Sequence, residues 1–329
     1  MNARRRTLAL LALSPLCLPR LLTAQPRRGV ARLGYLNIHS IEDKPSPERA
    51  AFLAGLHALG YREGRNLVIE YRGADGERAR LPELARELVA LRVDVIVVVS
   101  AEAAAAAKGA SSTIPVVVTV AGDPVHSGLV TSYARPGGNV TGLSFISPDL
   151  GAKRIELLRE IVPAARRVAV IWNAHDSVAE REWGQAREAA RSLGLQVDAR
   201  PVREAADLAA TLEALPRERP DALLVIVDPR MVGFRKIVAD AALEARVPCI
   251  AGWRGYVESG ALASYAPDFP ALFYRAASYV DRLLKGARPQ DLPVEQPSKF
   301  ELVVNLRTAA SIGVAVPKAL LARADYVIQ

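Results

Sequence analysis

Cysteine is nearly absent: the 329 residues contain only Cys17 and Cys249. Cys17 falls in an N-terminal stretch that reads as removable, which leaves no pair to form an internal disulfide. Cys249, inside the apolar run VPCIAGW, reads as a core residue, and one thiol cannot build a thiolate metal site. The four histidines, His39, His57, His126 and His175, fall at no metal-ligand spacing. GxxxxGK[ST] and post-strand GxGxxG phosphate loops are both missing, as is a GxSxG nucleophile elbow. Asp94, Asp123 and Asp228 are carboxylates at loop ends, where helix capping is the commoner role. Catalysis, metals and cofactors are therefore not expected. Beyond the N-terminus no apolar run reaches membrane-spanning length.

The first 24 residues differ from the rest. Arg4, Arg5 and Arg6 precede the apolar run Thr7 to Leu13, and Leu22-Thr23-Ala24 offers a small-residue cleavage site. That order is an export signal peptide. Arg5-Arg6-Thr7-Leu8 also weakly matches a twin-arginine signal. Removing residues 1–24 takes away four of the 43 basic residues and none of the 35 acidic ones, so the formal charge falls from +8 to about +4. A balance so close to neutral gives no reason to expect a nucleic-acid partner.

What is present is a repeat. ARLGYLN (Ala31 to Asn37) is echoed by RVAVIWN (Arg167 to Asn173), and the patterns downstream of each run recur in the same order. In the first copy the strand Ala31–Leu36 leads to a helix over Pro47–Leu59 and a strand over Asn66–Tyr71. A helix over Leu81–Leu91, the β-branched run Val93–Val99, a helix over Ala101–Ala110 and a strand over Ile114–Val120 come next. The second copy repeats this with Arg167–Trp172, Ala179–Leu193, Gln196–Val202, Glu204–Leu215, Ala222–Val227, Gly233–Ala245 and Pro248–Ala251. Alternating helix and strand patterns with continuous apolar strands predict an α/β fold of two similar doubly wound parallel-sheet lobes. After Tyr265 come a helix (Phe269–Leu284), a strand (Phe300–Asn305), a helix near Thr308–Ile312 and a tail helix near Pro317–Tyr326. Residues 145–150, 265–270 and 289–297 read as a three-crossing hinge between lobes. Lobe 1 is expected over 31–145, with about 266–292 returning to it, and lobe 2 over 146–265, with about 293–329 packing on it or on the hinge.

In such sheets ligands bind outside the carboxyl ends of the strands, so the strand-end residues are the candidate site. From the first copy these are Tyr35, Asn37, Ser100, Ala101, Glu102, Gly122 and Asp123. From the second they are Trp172, Asn173, Asp228, Trp253 and Arg254. Ser100 reads both as the cap of the following helix and as the rim of a helix start suited to a carboxylate. Gly122 allows close approach of a ligand, and Asp123 suits an ammonium or simply a turn. Trp172 and Trp253 offer aromatic faces to an apolar ligand or a cation, with core packing as the competing role. Arg254 can clamp a carboxylate or remain a solvated charge.

The segments YREGRNLVIEYR, LPELARELVALRVDVIV, STIPVVV, ARPGGNVTGLS, GAKRIELLRE, LPVEQPSKFELVVNLRTA and LLARADYVI resemble the exported solute-binding proteins of ABC importers, of the tryptophan/tyrosine-binding type. The resemblance runs in order along the chain after the signal. It implies a type I periplasmic binding fold, no catalysis, a periplasmic monomer, and delivery of a small organic solute to an ABC permease in the inner membrane. Glu102, His126, Gly255 and Ala261 depart from that pattern. The solute expected is an amino acid or an aromatic or carboxylated compound. The alternatives are a ligand-sensing protein for a membrane receptor, or an enzyme using the same cleft.

Overall fold

The structure, a computed structural model, describes residues 29–146 and 150–329. The signal reading lies outside those residues, as does part of the first predicted crossing. The first sheet is built from β1 (Ala31–Asn37), β2 (Leu67–Gly73), β3 (Val95–Val98), β4 (Val116–Ala121) and β5 (Val140–Ser144), with α1 (Pro47–Ala58), α2 (Leu81–Ala90) and α3 (Ala101–Ala110) between them. Its order is β2-β1-β3-β4-β5, and every pairing is parallel. All four residues of β3, VIVV, are buried because helices cover both faces.

The second half repeats the plan with α4 (Leu150–Ile161), β6 (Arg167–Asn173), α5 (Ser177–Ser192), β7 (Gln196–Val202), α6 (Ala205–Glu218), β8 (Ala222–Val225), α7 (Pro229–Val232), α8 (Arg235–Glu244), β9 (Cys249–Ala251), α9 (Arg254–Glu258) and β10 (Ala263–Pro267). Its strands run β7-β6-β8-β9-β10, the order of the first sheet, position for position. The first turn of each copy is also the same. Asn37 Oδ1 accepts from His39 N at 3.2 Å, and Asn173 Oδ1 accepts from His175 N at 3.0 Å. The short Asn side chain closes the turn after the strand in both copies.

The last part of the chain is shared. Helix α10 (Phe269–Leu284) returns to the first sheet and packs on α1, so close that a Cβ on Gly55 would meet the Tyr274 carbonyl at 2.6 Å. Thr141 Oγ1 then donates to the Leu292 carbonyl and Val294 is buried in the first core. The chain crosses back as β11 (Phe300–Asn305), which pairs antiparallel with β10; α11 (Leu306–Ile312), α12 (Lys318–Leu321) and β12 (Tyr326–Ile328) complete it.

Two expectations change. The tail helix is a single turn, and Tyr326–Ile328 is an edge strand parallel to β11, because Asp325 accepts from Leu302 N and starts that pairing. The helix expected over Gly233–Ala245 is preceded by the short α7, which Asp228 caps. In addition a short helix, α9, starts at Arg254, where the sequence pattern assigned no element.

Candidate functional site

The carboxyl ends of the two sheets border one cavity of about 720 Å³, well within the range of small-molecule sites. Tyr35 and Asn37 from β1, Val99 after β3, Val120 in β4 and Phe145 after β5 form one wall. Asp228 after β8, Gly252 and Trp253 after β9, and Pro267 at the end of β10 form the facing wall. The β1–α1 segment from Ile38 to Arg49 and the start of α10, with Phe269 and Phe273, close two further sides.

Of the residues expected at the site, Tyr35, Asn37, Asp228, Trp253 and Arg254 line the cavity. Tyr35 is held against Phe52 and Tyr71, so its ring forms fixed wall. Asp228 is buried and accepts from Asn173 Nδ2 and from Met231 N. Burial pushes its carboxyl above the ordinary range, and those two hydrogen bonds pull the other way. Asn173 thus reaches the site only through Asp228. Trp253 sits where α9 starts, its indole N–H pointing to Glu48 Oε1 at 3.3 Å. Its ring lies over Gly255, where an added Cβ would sit 2.4 Å from it.

The others lie elsewhere. Trp172 is in the second-lobe core, stacked on Trp183 with centroids 4.5 Å apart, its N–H donating to Glu180 at 2.7 Å. It shares strand parity with Val168 and Val170, which points all three at α5. Ser100 is buried and its Oγ caps α3 through Ala103 N at 3.1 Å. Ala101 begins that helix, and Glu102 pairs with Arg78 at 3.3 Å. Gly122 and Asp123 form a contact between lobes instead. A Cβ on Gly122 would meet Val178 at 2.9 Å, and Asp123 Oδ2 pairs with Arg181 Nη1 at 3.0 Å. Burial pushes the Asp123 carboxyl up, but hydrogen bonds from His126 N and Arg181 prevail and hold it below the ordinary range.

Several lining residues were not anticipated. His39 reaches the second lobe at Pro229; burial holds its imidazole below the usual value, with the Pro229 carbonyl acting against that. Arg154, buried, donates to the Tyr265 carbonyl at 2.8 Å and pairs with Glu182. The expected Arg254 donates through Nε to Glu258 at 2.8 Å, with its guanidinium 4.3 Å from the Tyr326 ring centroid. Its Nη1 is 3.7 Å from Glu301, whose carboxyl is buried and pushed up to about 7 by that burial. Arg49 lines the cavity from the first turn of α1. Only the Pro-rich, charged β1–α1 loop carried a sequence signal; Arg154 and Glu301 lie inside ordinary helix and strand patterns. Among the described residues, no group of three or more His, Cys, Asp or Glu side chains could hold a metal ion. No described helix is long and apolar enough to cross a membrane.

Residues 41–328 match the family model for ABC transporter substrate binding proteins. The tyrosine-binding protein of Clostridioides difficile (strain R20291) is 29% identical over 280 residues, 84% of this chain and 80% of the relative. A domain from Streptococcus pneumonia, solved in complex with L-Trp, is 26% identical with a TM-score of 0.82, over 91% of this chain and 99% of that one. The ligand-free, open structure of a substrate binding protein with adhesive properties from Clostridium difficile is also 26% identical, over 91% of this chain and 100% of that one. Its TM-score is 0.69.

Proposed function

Since this chain belongs to the ABC transporter substrate binding protein family, we propose that it closes two lobes on an aromatic amino acid and hands it to an ABC permease. The observation that carries this reading is the single cavity between the carboxyl ends of two matching sheets, walled by Tyr35, Phe145, Phe269, Phe273 and Trp253. Aromatic walls suit an aromatic side chain, because offset and edge-to-face contacts add to the burial of apolar area. Charges on the same walls, Arg154, Arg254, Asp228 and Glu301 among them, suit an ammonium and a carboxylate on one molecule.

Closure arises from contacts that exist only when the lobes meet. Glu48 with Trp253, Asp123 with Arg181, and Gly122 against Val178 join one lobe to the other. At equal identity, the higher TM-score to the L-Trp complex than to the open, ligand-free structure agrees with a closed arrangement. A solute that touches both walls would favour that arrangement by its difference in affinity for the closed and open states. Export, with the N-terminal stretch as signal, belongs to the same reading.

Isothermal titration with L-tryptophan, L-tyrosine, L-phenylalanine, L-leucine and benzoate tests it. Saturable binding of an aromatic amino acid, tighter than leucine, is expected. Binding of leucine or benzoate in preference to all three aromatic amino acids would overturn it.

A further inference from the structure

Four arginines line the cavity, and they differ in how their charge is met. Arg154 pairs with Glu182, and Arg254 has Glu258 and Glu301. Arg235 is exposed, so water solvates it. Among the described residues Arg49 has no ion pair, and only the open cavity meets the rest of its guanidinium. It is 8% exposed. Its one side-chain hydrogen bond runs from Nη2 to the Glu42 backbone carbonyl, and its guanidinium lies 5.5 Å from the Tyr71 ring centroid. The neighbouring Glu48 carboxylate accepts instead from Trp253, across the cleft.

Among the described residues only Nη2 meets a protein acceptor; Nε and Nη1 keep access to the cavity, where an anion can replace water as their partner. Its position also favours an incoming anion. Arg49 is the third residue of α1, where the positive end of the helix dipole disfavours a cation. The Tyr71 face and the Glu42 carbonyl hold the fork in one orientation, which lowers the entropy lost when a planar anion docks.

We propose that Arg49 receives the carboxylate of the solute, which makes the cavity a site for organic carboxylates with an aromatic or apolar body. This rests on the solute-binding reading above. It moves the carboxylate contact from Arg254, already ion-paired in the second lobe, to a residue of the first lobe. Arg49 then sets specificity: the carboxylate is required, whatever the rest of the solute carries.

Three probes and one variant test this. L-Tryptophan has both charged groups, indole-3-propionate keeps only the carboxylate, and tryptamine keeps only the ammonium. Wild-type protein should bind the two carboxylates at least about 30-fold more tightly than tryptamine. Arg49→Met should weaken both carboxylates by at least about 30-fold and leave tryptamine unchanged or improved. Ligand-free Arg49→Met should melt at the wild-type temperature or above it, because an unpaired cation in the first turn of a helix is gone; a structural arginine would lower the melting temperature. Full retention of carboxylate binding in Arg49→Met, or wild-type preference for tryptamine, overturns the assignment. If wild-type protein binds none of the three, the aromatic-solute reading fails by itself, and the ligand-free melting comparison decides for or against Arg49.

Discussion

Arg181 and Asp123 join the two lobes through one ion pair, Nη1 to Oδ2 at 3.0 Å, on the rim of the cavity rather than inside it. The arginine side chain is 51% exposed, so water and salt weaken the pair. Asp123→Asn and Arg181→Ala should each weaken L-tryptophan binding by no more than about fivefold, the equivalent of about 1 kcal/mol for an exposed pair. The double variant should add nothing further. A titration-based double-mutant cycle checks this; a loss near 100-fold on Asp123→Asn alone would show direct contact between Asp123 and the solute.

Of the three tryptophans, only Trp253 lines the cavity, while Trp172 and Trp183 stack in the core. Trp253→Phe should therefore silence any ligand-dependent change in tryptophan emission with little effect on melting. Trp172→Ala should cost about 3–5 kcal/mol of stability through lost packing and a cavity. Fluorescence titration and chemical denaturation read the two effects separately, and a surviving emission response in Trp253→Phe would contradict the assignment.

The pose of Trp253 depends on Gly255, since a Cβ there would lie 2.4 Å from the indole. Gly255→Ala must displace the ring, which breaks its hydrogen bond to Glu48. L-Tryptophan affinity should fall while far-UV circular dichroism stays the same. Unchanged affinity would show that the solute does not contact this ring.

Glu301 links pH to stability. Burial raises its folded carboxyl from the ordinary 4.5 to about 7; Arg254 opposes that rise, and Asp268, Asp325 and Glu258 add to it. Between those values the folded state holds a proton that the unfolded state has released, so stability falls as pH rises through the window and levels off above it. Glu301→Gln should match wild type at pH 4 and become the more stable protein by pH 8. Melting temperature against pH measures this, and a gap independent of pH would refute it.

Ser264 Oγ is buried with no hydrogen-bond partner among the described residues. Ser264→Ala should leave stability unchanged or raise it by about 1 kcal/mol, because a desolvated, unpaired hydroxyl is removed. A clear loss on urea denaturation would mean that the hydroxyl is satisfied in solution.

The sequence by itself determined the two copies, the alternation of strands and helices along each, and the end of the sheets at which a cavity forms. Those features come from local periodicity: runs such as VDVIVVV bury both faces, and amphipathic helices alternate with them. The repeated Asn-X-His turns at Asn37 and Asn173 are local for the same reason. Tertiary structure decided which strand-end side chains reach the cavity. Trp172 and Trp253 carry the same sequence signal, an aromatic at a strand end. Side-chain parity on β6 sends Trp172 into the α5 core, whereas Trp253 stands beyond β9 at the start of a helix turn. Arg49 shows the converse. On a helix surface a lone arginine reads as solvated, and only the packing of Tyr71 and the Glu42 carbonyl around it leaves it largely covered and short of a counter-charge. Charge compensation depends on residues far apart in the chain, so periodicity carries no trace of it.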